Sequence, residues 1–218
     1  MGLMILLPGL GADERMFENL GDLPFPLLVV RHLLPERKES LAHYALRTAE
    51  SLGVTGDDMV GGSSFGRFVA SEIARERLVL GLVLIGGALS SAELIVPCIA
   101  RLLCLMPMRF VLPVLRSEAF FKKAFASEGE ELQYLARAMM NEAPNELLYQ
   151  GGRMLLRYFP DQEPSCPVYA IHGGLDPLMK PPLVTGCRLL PQAGHAIAWT
   201  HGRDVGAFLQ EVWGTRPA

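Results

Sequence analysis

Ser64 lies between Gly62 and Gly66 in the run Asp57-Asp58-Met59-Val60-Gly61-Gly62-Ser63-Ser64-Phe65-Gly66. This is a G-x-S-x-G spacing, entered from a short apolar run and left through an amphipathic one. It fits a sharp strand-to-helix turn that holds a serine hydroxyl in a strained backbone conformation, ready to attack an acyl carbon. Glycine is needed two positions before and after, because side chains there would collide with neighbouring backbone. If Ser63 were the nucleophile its flanks would be Gly61 and the bulky Phe65, so Ser64 is the better candidate. A serine hydroxyl is a poor nucleophile at neutral pH; it needs a base, and the base needs an orienting carboxylate. The segment Val168-Tyr169-Ala170-Ile171-His172-Gly173-Gly174-Leu175-Asp176-Pro177 reads as a strand and a glycine turn ending in an acid. Leu190-Pro191-Gln192-Ala193-Gly194-His195 reads as another strand exit, with a histidine before the last helix.

Plainer readings stand beside these. Ser64 could simply open a helix, Asp176 could be the turn former of an Asp-Pro dipeptide, and His195 could be a surface histidine. His201 competes with His195 as base, but Thr200 reads as the N-cap of the last helix and His201 as its first turn. His172, His32 and His43 read as structural, Asp13 as the cap of the first helix, and Ser63 as a packing neighbour. Neither Gly9-Leu10-Gly11 nor Gly61-Gly62 continues into G-x-G-x-x-G, so the glycines give no dinucleotide signature.

The elements that must position these residues alternate between strand-length apolar runs and helical patterns, which predicts parallel β-α-β units. Strands are expected at Leu3–Leu7, Leu27–Arg31, Asp58–Gly62, Val79–Ile85, Pro167–Ile171 and Gly186–Leu190. Helices are expected at Glu14–Leu20, Leu41–Leu52 (with Ser40 as N-cap), Phe65–Arg77 and Arg203–Trp213. Between 90 and 164 the alternation stops; helices including Glu128–Met140 and Asn145–Leu156 would form a cap. The prediction is one α/β domain over 1–218, with about six mostly parallel strands and helices on both faces. In such a sheet, functional groups gather at the carboxyl ends of strands. Ser64, Asp176 and His195 all fall there, in that chain order.

Charge and composition narrow the function classes. A net charge of −3 without a basic run gives no sign of a nucleic-acid partner or a membrane-surface patch. Cys98, Cys104, Cys166 and Cys187 form no C-x-x-C pair and do not cluster with histidine, which favours free thiols and fits a cytoplasmic protein. The N-terminal apolar run is too short for a signal peptide and lacks a basic leader. Leu94 to Leu115 is nearly long enough to span a bilayer. Arg101 and Arg109 interrupt it, however, and Pro97, Pro107 and Pro113 divide it, so short helices folded over a pocket are expected. There Leu102, Leu103, Leu105, Met106 and Met108 could line an acyl pocket or simply form core. The chain is expected to act as a monomer or a homodimer.

Taken together, the sequence resembles the α/β-hydrolase superfamily, most closely small members that lack the first two strands. The resemblance rests on the Leu6-Leu7-Pro8-Gly9-Leu10-Gly11 turn, the turn around Ser64, the Ile171-His172-Gly173-Gly174-Leu175-Asp176 segment and Gly194-His195, within a span from residue 3 to 213. It implies a Ser64–His195–Asp176 triad and an oxyanion hole of the Leu10 and Phe65 backbone N–H groups. It also implies a small-molecule ester, thioester or lactone substrate, with no metal or organic cofactor. Haloperoxidase or hydroxynitrile lyase chemistry on the same scaffold, or a non-catalytic ligand-binding member, are the alternatives. Two departures from the family pattern bear on the site. Pro8 replaces a histidine common before the glycine, and Arg67 replaces a glycine common three positions after the nucleophile. The helix that normally lies between Asp176 and His195 is expected to be reduced to a loop.

Overall fold

The structure is a computed structural model that describes residues 2–87, 89, 93–95, 106–125, 128–160 and 162–216. Its strands are β1 (Met4–Leu7), β2 (Leu27–Val29), β3 (Met59–Ser63), β4 (Gly81–Ile85), β5 (Val168–Gly173) and β6 (Arg188–Leu190). They form a parallel sheet in the order β2-β1-β3-β4-β5-β6. A 3-10 helix (Glu14–Leu20) follows β1; α1 (Leu41–Leu52) and α2 (Phe65–Glu76) follow β2 and β3. Between β4 and β5 come α3 (Met108–Leu115), α4 (Glu118–Ala124), α5 (Glu130–Glu142) and α6 (Asn145–Arg157). The chain ends with α7 (Ile197–Thr200) and α8 (Gly202–Gly214).

Alternation along the strands divides the core into two layers. Ile5, Leu7, Val60, Leu82, Leu84 and Ala170 pack with residues of α1 and α2. Met4, Leu6, Met59, Val83, Ile85 and Ile171 pack with residues of the 3-10 helix and α8. Asp58 ties the entry of the sheet together: one oxygen accepts from Leu3 N at 2.8 Å, the other from Thr55 N at 2.8 Å. A third cluster (Leu112, Phe121, Met140 and Leu148) belongs to the β4–β5 segment, and Leu10 packs against it.

Every expected strand is present, with shifted ends. β5 runs two residues beyond the expected Ile171, because His172 and Gly173 pair with Leu189 and Leu190 of β6. β2 stops at Val29, its ladder with β1 spanning only three residues. Glu128 does not start a helix. Gly129 (φ 84) precedes α5, which begins at Glu130, and this break frees the Glu128 side chain. Thr200 does not cap the last helix; it closes the short α7, and His201 holds the cap position of α8 without a side-chain cap bond. Asp13 and Ser40 do cap their elements, accepting from Arg15 N and His43 N. No helix follows Asp176 until α7, so the connection to His195 is a loop carrying the short β6.

Among the described residues, no helix is long and apolar enough to cross a membrane. Cys166 and Cys187 are free thiols. Cys98, Cys104, Arg101, Pro97, Leu102, Leu103 and Leu105 lie outside the described residues.

Candidate active site

The strand order reverses between β1 and β3, so the exits of these neighbours open a crevice at the carboxyl rim. Ser64 stands at the β3 exit, just before α2, with φ 51 and ψ −118. A left-handed φ at a non-glycine residue costs of order 1–3 kcal/mol and persists only where the surroundings impose it. Those surroundings are visible. A Cβ on Gly66 would lie 2.1 Å from the Leu7 carbonyl oxygen, and one on Gly62 would lie 2.6 Å from the same oxygen. Backbone cannot step aside at these distances, so both glycines are obligatory. Gly9 closes on the same point, since a Cβ there would meet Ser64 Cβ at 3.3 Å.

The Leu10 amide is engaged in no hydrogen bond among the described residues. Phe65 is the first residue of α2, and the opening N–H groups of a helix have no partner within it. Pro8 lacks the side-chain anchor of a histidine, but the turn is anchored in another way. His32 Nε2–H donates to the Pro8 carbonyl at 2.9 Å, and the His32 ring packs 5.1 Å from that of Phe65. Burial pulls the His32 pKa down to about 4, so the imidazole is neutral and its proton is placed on Nε2 by this bond.

Asp176 and His195 come together. His195 Nδ1 donates to Asp176 Oδ2 at 2.8 Å, and both side chains are buried. The other carboxylate oxygen, Oδ1, accepts from the amides of Leu178 (2.8 Å) and Met179 (3.0 Å). Burial alone would push the Asp176 carboxyl up. The His195 ring and the two amides outweigh it and hold the group below the usual carboxylate range. The loop carrying the imidazole is seated on the strand exits: Cβ atoms on Gly86 and Gly173 would lie 2.9 Å from the His195 carbonyl oxygen and 2.0 Å from that of Gly194. Gly86 follows Ile85, which pairs with Ser63, so Ser64 and the His195 backbone lie at neighbouring strand exits. No hydrogen bond joins Ser64 Oγ to His195 in this structure.

Three further side chains crowd this centre: Glu128 and Phe125, which the sequence did not point to, and Arg67, which it did. Glu128, from the break before α5, accepts from Ala196 N at 2.5 Å through Oε1, while its Oε2 is buried and unpaired. Burial raises its pKa, against the opposing pull of the Ala196 amide and His195. Phe125 sets its ring 6.3 Å from the His195 ring. Arg67, in the first turn of α2, is fully buried. Its Nη2 reaches only Met179 Sδ at 3.1 Å, its Cζ stands 4.2 Å from the Phe68 ring centre, and Nε and Nη1 are unpaired. Burial draws its pKa down to about 9, although Glu93, Asp176 and Tyr158 act on it too.

The remaining histidines keep out of the dyad. His172 is buried 3.9 Å from Asp176 Oδ2, with both ring nitrogens unpaired, and burial lowers its pKa. His201 bonds Thr200 Oγ1 at 2.9 Å, and His43 pairs with Glu39 on the surface. Among the described residues, Glu36, Glu39 and His43 form the one grouping with metal-like spacing, and Arg47 already donates to both Glu39 oxygens.

Helices α5 and α6 roof the turn that bears Leu10. A Cβ on Gly11 would strike Met140 and Leu148, and one on Gly151 would lie 2.6 Å from Leu10 Cδ1. Met108, Phe120 and Phe125 join the same apolar cluster.

No family model and no curated relative matches the chain. Solved structures do. A thermophilic esterase from Thermogutta terrifontis aligns with TM-score 0.76 at 20% identity, over 98% of this chain and 90% of its own. A hydrolase from Oleispira antarctica, olei00960, gives 0.77 at 12% identity, over 99% and 92%. The RedJ thioesterase from the prodiginine biosynthetic pathway in Streptomyces coelicolor gives 0.65 at 19% identity, over 96% and 84%.

Proposed function

The six-stranded parallel sheet with its helices is the α/β-hydrolase fold, and on that premise we propose that the chain is a serine hydrolase cleaving carboxylic esters or the related thioesters and lactones. One observation carries the reading. A serine in a left-handed turn between two blocked glycines stands at the β3 exit, and the main chain of a histidine bonded to a buried carboxylate lies against the β4 exit. In this reading Ser64 Oγ attacks the acyl carbon as His195 Nε2 takes its proton. Asp176 fixes the tautomer through Nδ1–H and stabilises the imidazolium. The N–H groups of Leu10 and Phe65 hold the oxyanion, each being worth about 3–4 kcal/mol of barrier. The positive end of α2 favours the same charge. His195 returns its proton to the leaving group, then activates the water that releases the acid. Catalytic hydrogen bonds of free enzymes tighten in the substrate complex, which is where Ser64 and His195 are required to meet.

The β4–β5 segment acts as the cap in this scheme, and its apolar cluster offers the surface for an apolar acyl group. A fluorophosphonate probe should label Ser64 and nothing else in the folded chain. Ser64→Ala should abolish labelling and reduce ester hydrolysis by about 10⁴-fold or more. Hydrolysis that survives this substitution removes Ser64 from the mechanism. Profiling with nitrophenyl esters should favour apolar acyl chains over charged ones.

A further inference from the structure

A cavity of about 580 Å³ opens beside the N-terminus of α1, and its walls include none of Ser64, Asp176 or His195. α1 follows β2 as α2 follows β3, so the N-terminus of α1 and Ser64 both lie on the carboxyl side of the sheet. Helix α6 separates the two: Gly151 faces Leu10 and Phe65, while Arg153 and Arg157 line the cavity.

The charges on its walls are unbalanced. Lys38, Arg153 and Arg157 form no ion pair among the described residues; Arg153 donates only to the Tyr149 hydroxyl, at 3.2 Å. The two carboxylates on the walls are already committed. Glu39 is held by Arg47 and His43, with its side chain 1% exposed. Glu72 accepts from the Tyr158 hydroxyl and lies 3.6 Å from Arg75. The N-terminus of α1, capped by Ser40, adds its partial positive charge. In a chain of net charge −3, three unneutralised cations thus face one space.

We propose that this cavity binds a phosphate group, carried either by a small free ligand or by the leaving group of the substrate. Two guanidinium forks and an ammonium match a multiply charged phosphate better than a single carboxylate. The helix terminus supplies N–H donors at the same place. The second source alone rests on the proposed hydrolase activity.

Calorimetric titration of the full Ser64→Ala chain with inorganic pyrophosphate measures binding without turnover, so the result stands whether or not the chain is a hydrolase. One saturable site at low salt is expected, weakened by added salt. In an Arg153→Ala/Arg157→Ala background the affinity should fall at least about tenfold. Lys38→Ala provides a milder independent variant, and circular dichroism verifies folding of each. No saturable binding at millimolar pyrophosphate, or equal binding by the folded double variant, overturns the proposal. With Ser64 restored, the two sources separate. A KM raised for an acyl-coenzyme A thioester but not for its N-acetylcysteamine analogue assigns the phosphate to the leaving group. Unchanged KM for both, with pyrophosphate binding intact in the parent chain, assigns a free ligand.

Discussion

Asp176 and Arg67 are both sealed from water at the carboxyl rim, but their surroundings differ. Asp176 has both oxygens occupied, one by the amides of Leu178 and Met179 and the other by His195. Arg67 has the sulfur of Met179 and the face of Phe68, with two nitrogens unpaired. Met179 touches both, its amide serving the acid and its sulfur the guanidinium. A buried charge with complete hydrogen bonding keeps its ionisation and its orientation, which a mechanism can use. A buried charge without it is a standing cost to the fold, reduced here by the fields of Glu93 and Asp176. The contrast separates an arranged site from an accommodated residue lying almost against it.

Four measurements break or sharpen that contrast. Asp176→Asn should have the largest effect, lowering kcat for ester hydrolysis by about 10⁴-fold while the melting transition persists, because it leaves the ring in the wrong tautomer. A loss below tenfold would reduce Asp176 to a turn former. Arg67→Met should raise the urea midpoint, by about 1–4 kcal/mol in stability, since an apolar chain fits the space between Gly87 and Phe68 without stranded donors. Destabilisation of similar size would show instead that the cation supports Asp176 and Glu93. His32 is neutral and bonded. The unfolded chain protonates it near the ordinary 6.5, whereas the folded chain resists until about 4. Stability is therefore complete above pH 6.5 and declines as pH falls towards 4, by about 2 kcal/mol between pH 7 and 5. His32→Gln should flatten that part of the denaturation profile. Glu128→Gln should be the mildest. Its raised pKa means that the folded state favours the neutral acid, a contribution lost as pH rises, so the amide should gain less than about 1 kcal/mol at neutral pH. A hydrolysis rate changed by more than about tenfold would instead make Glu128 a participant in the chemistry.

Much of the candidate site's local geometry is legible in the sequence, because local chemistry dictates it. Gly62 and Gly66 around Ser64 announce a turn that only glycines permit, and the strand-then-turn run through Gly173 places Asp176 at a rim. Strand ends were less legible, since the ladder to β6 decides where β5 stops. The approach of Glu128 and Phe125 to His195 left no trace in their own neighbourhoods; it joins residues some 68 positions apart, through a helix break at Gly129. Arg67 did carry a signal. Phe65, Phe68, Val69 and Ala70 surround it with apolar residues on every side of the first turns of α2, and a helix apolar all round is buried all round.

The strand pair β4–β5 has a bearing on redesign. Parallel neighbours require the chain to return from the carboxyl rim to the opposite edge, a journey of a dozen or more residues. Here the return is fastened to α2, with Arg75 donating to the Gln162 carbonyl at 2.5 Å and to the Tyr158 hydroxyl, before Pro167 accepts from Leu82 N at 2.9 Å. If the helices upstream of Tyr158 act as the proposed cap, exchanging them should alter substrate range while the fastened descent into β5 holds the sheet together.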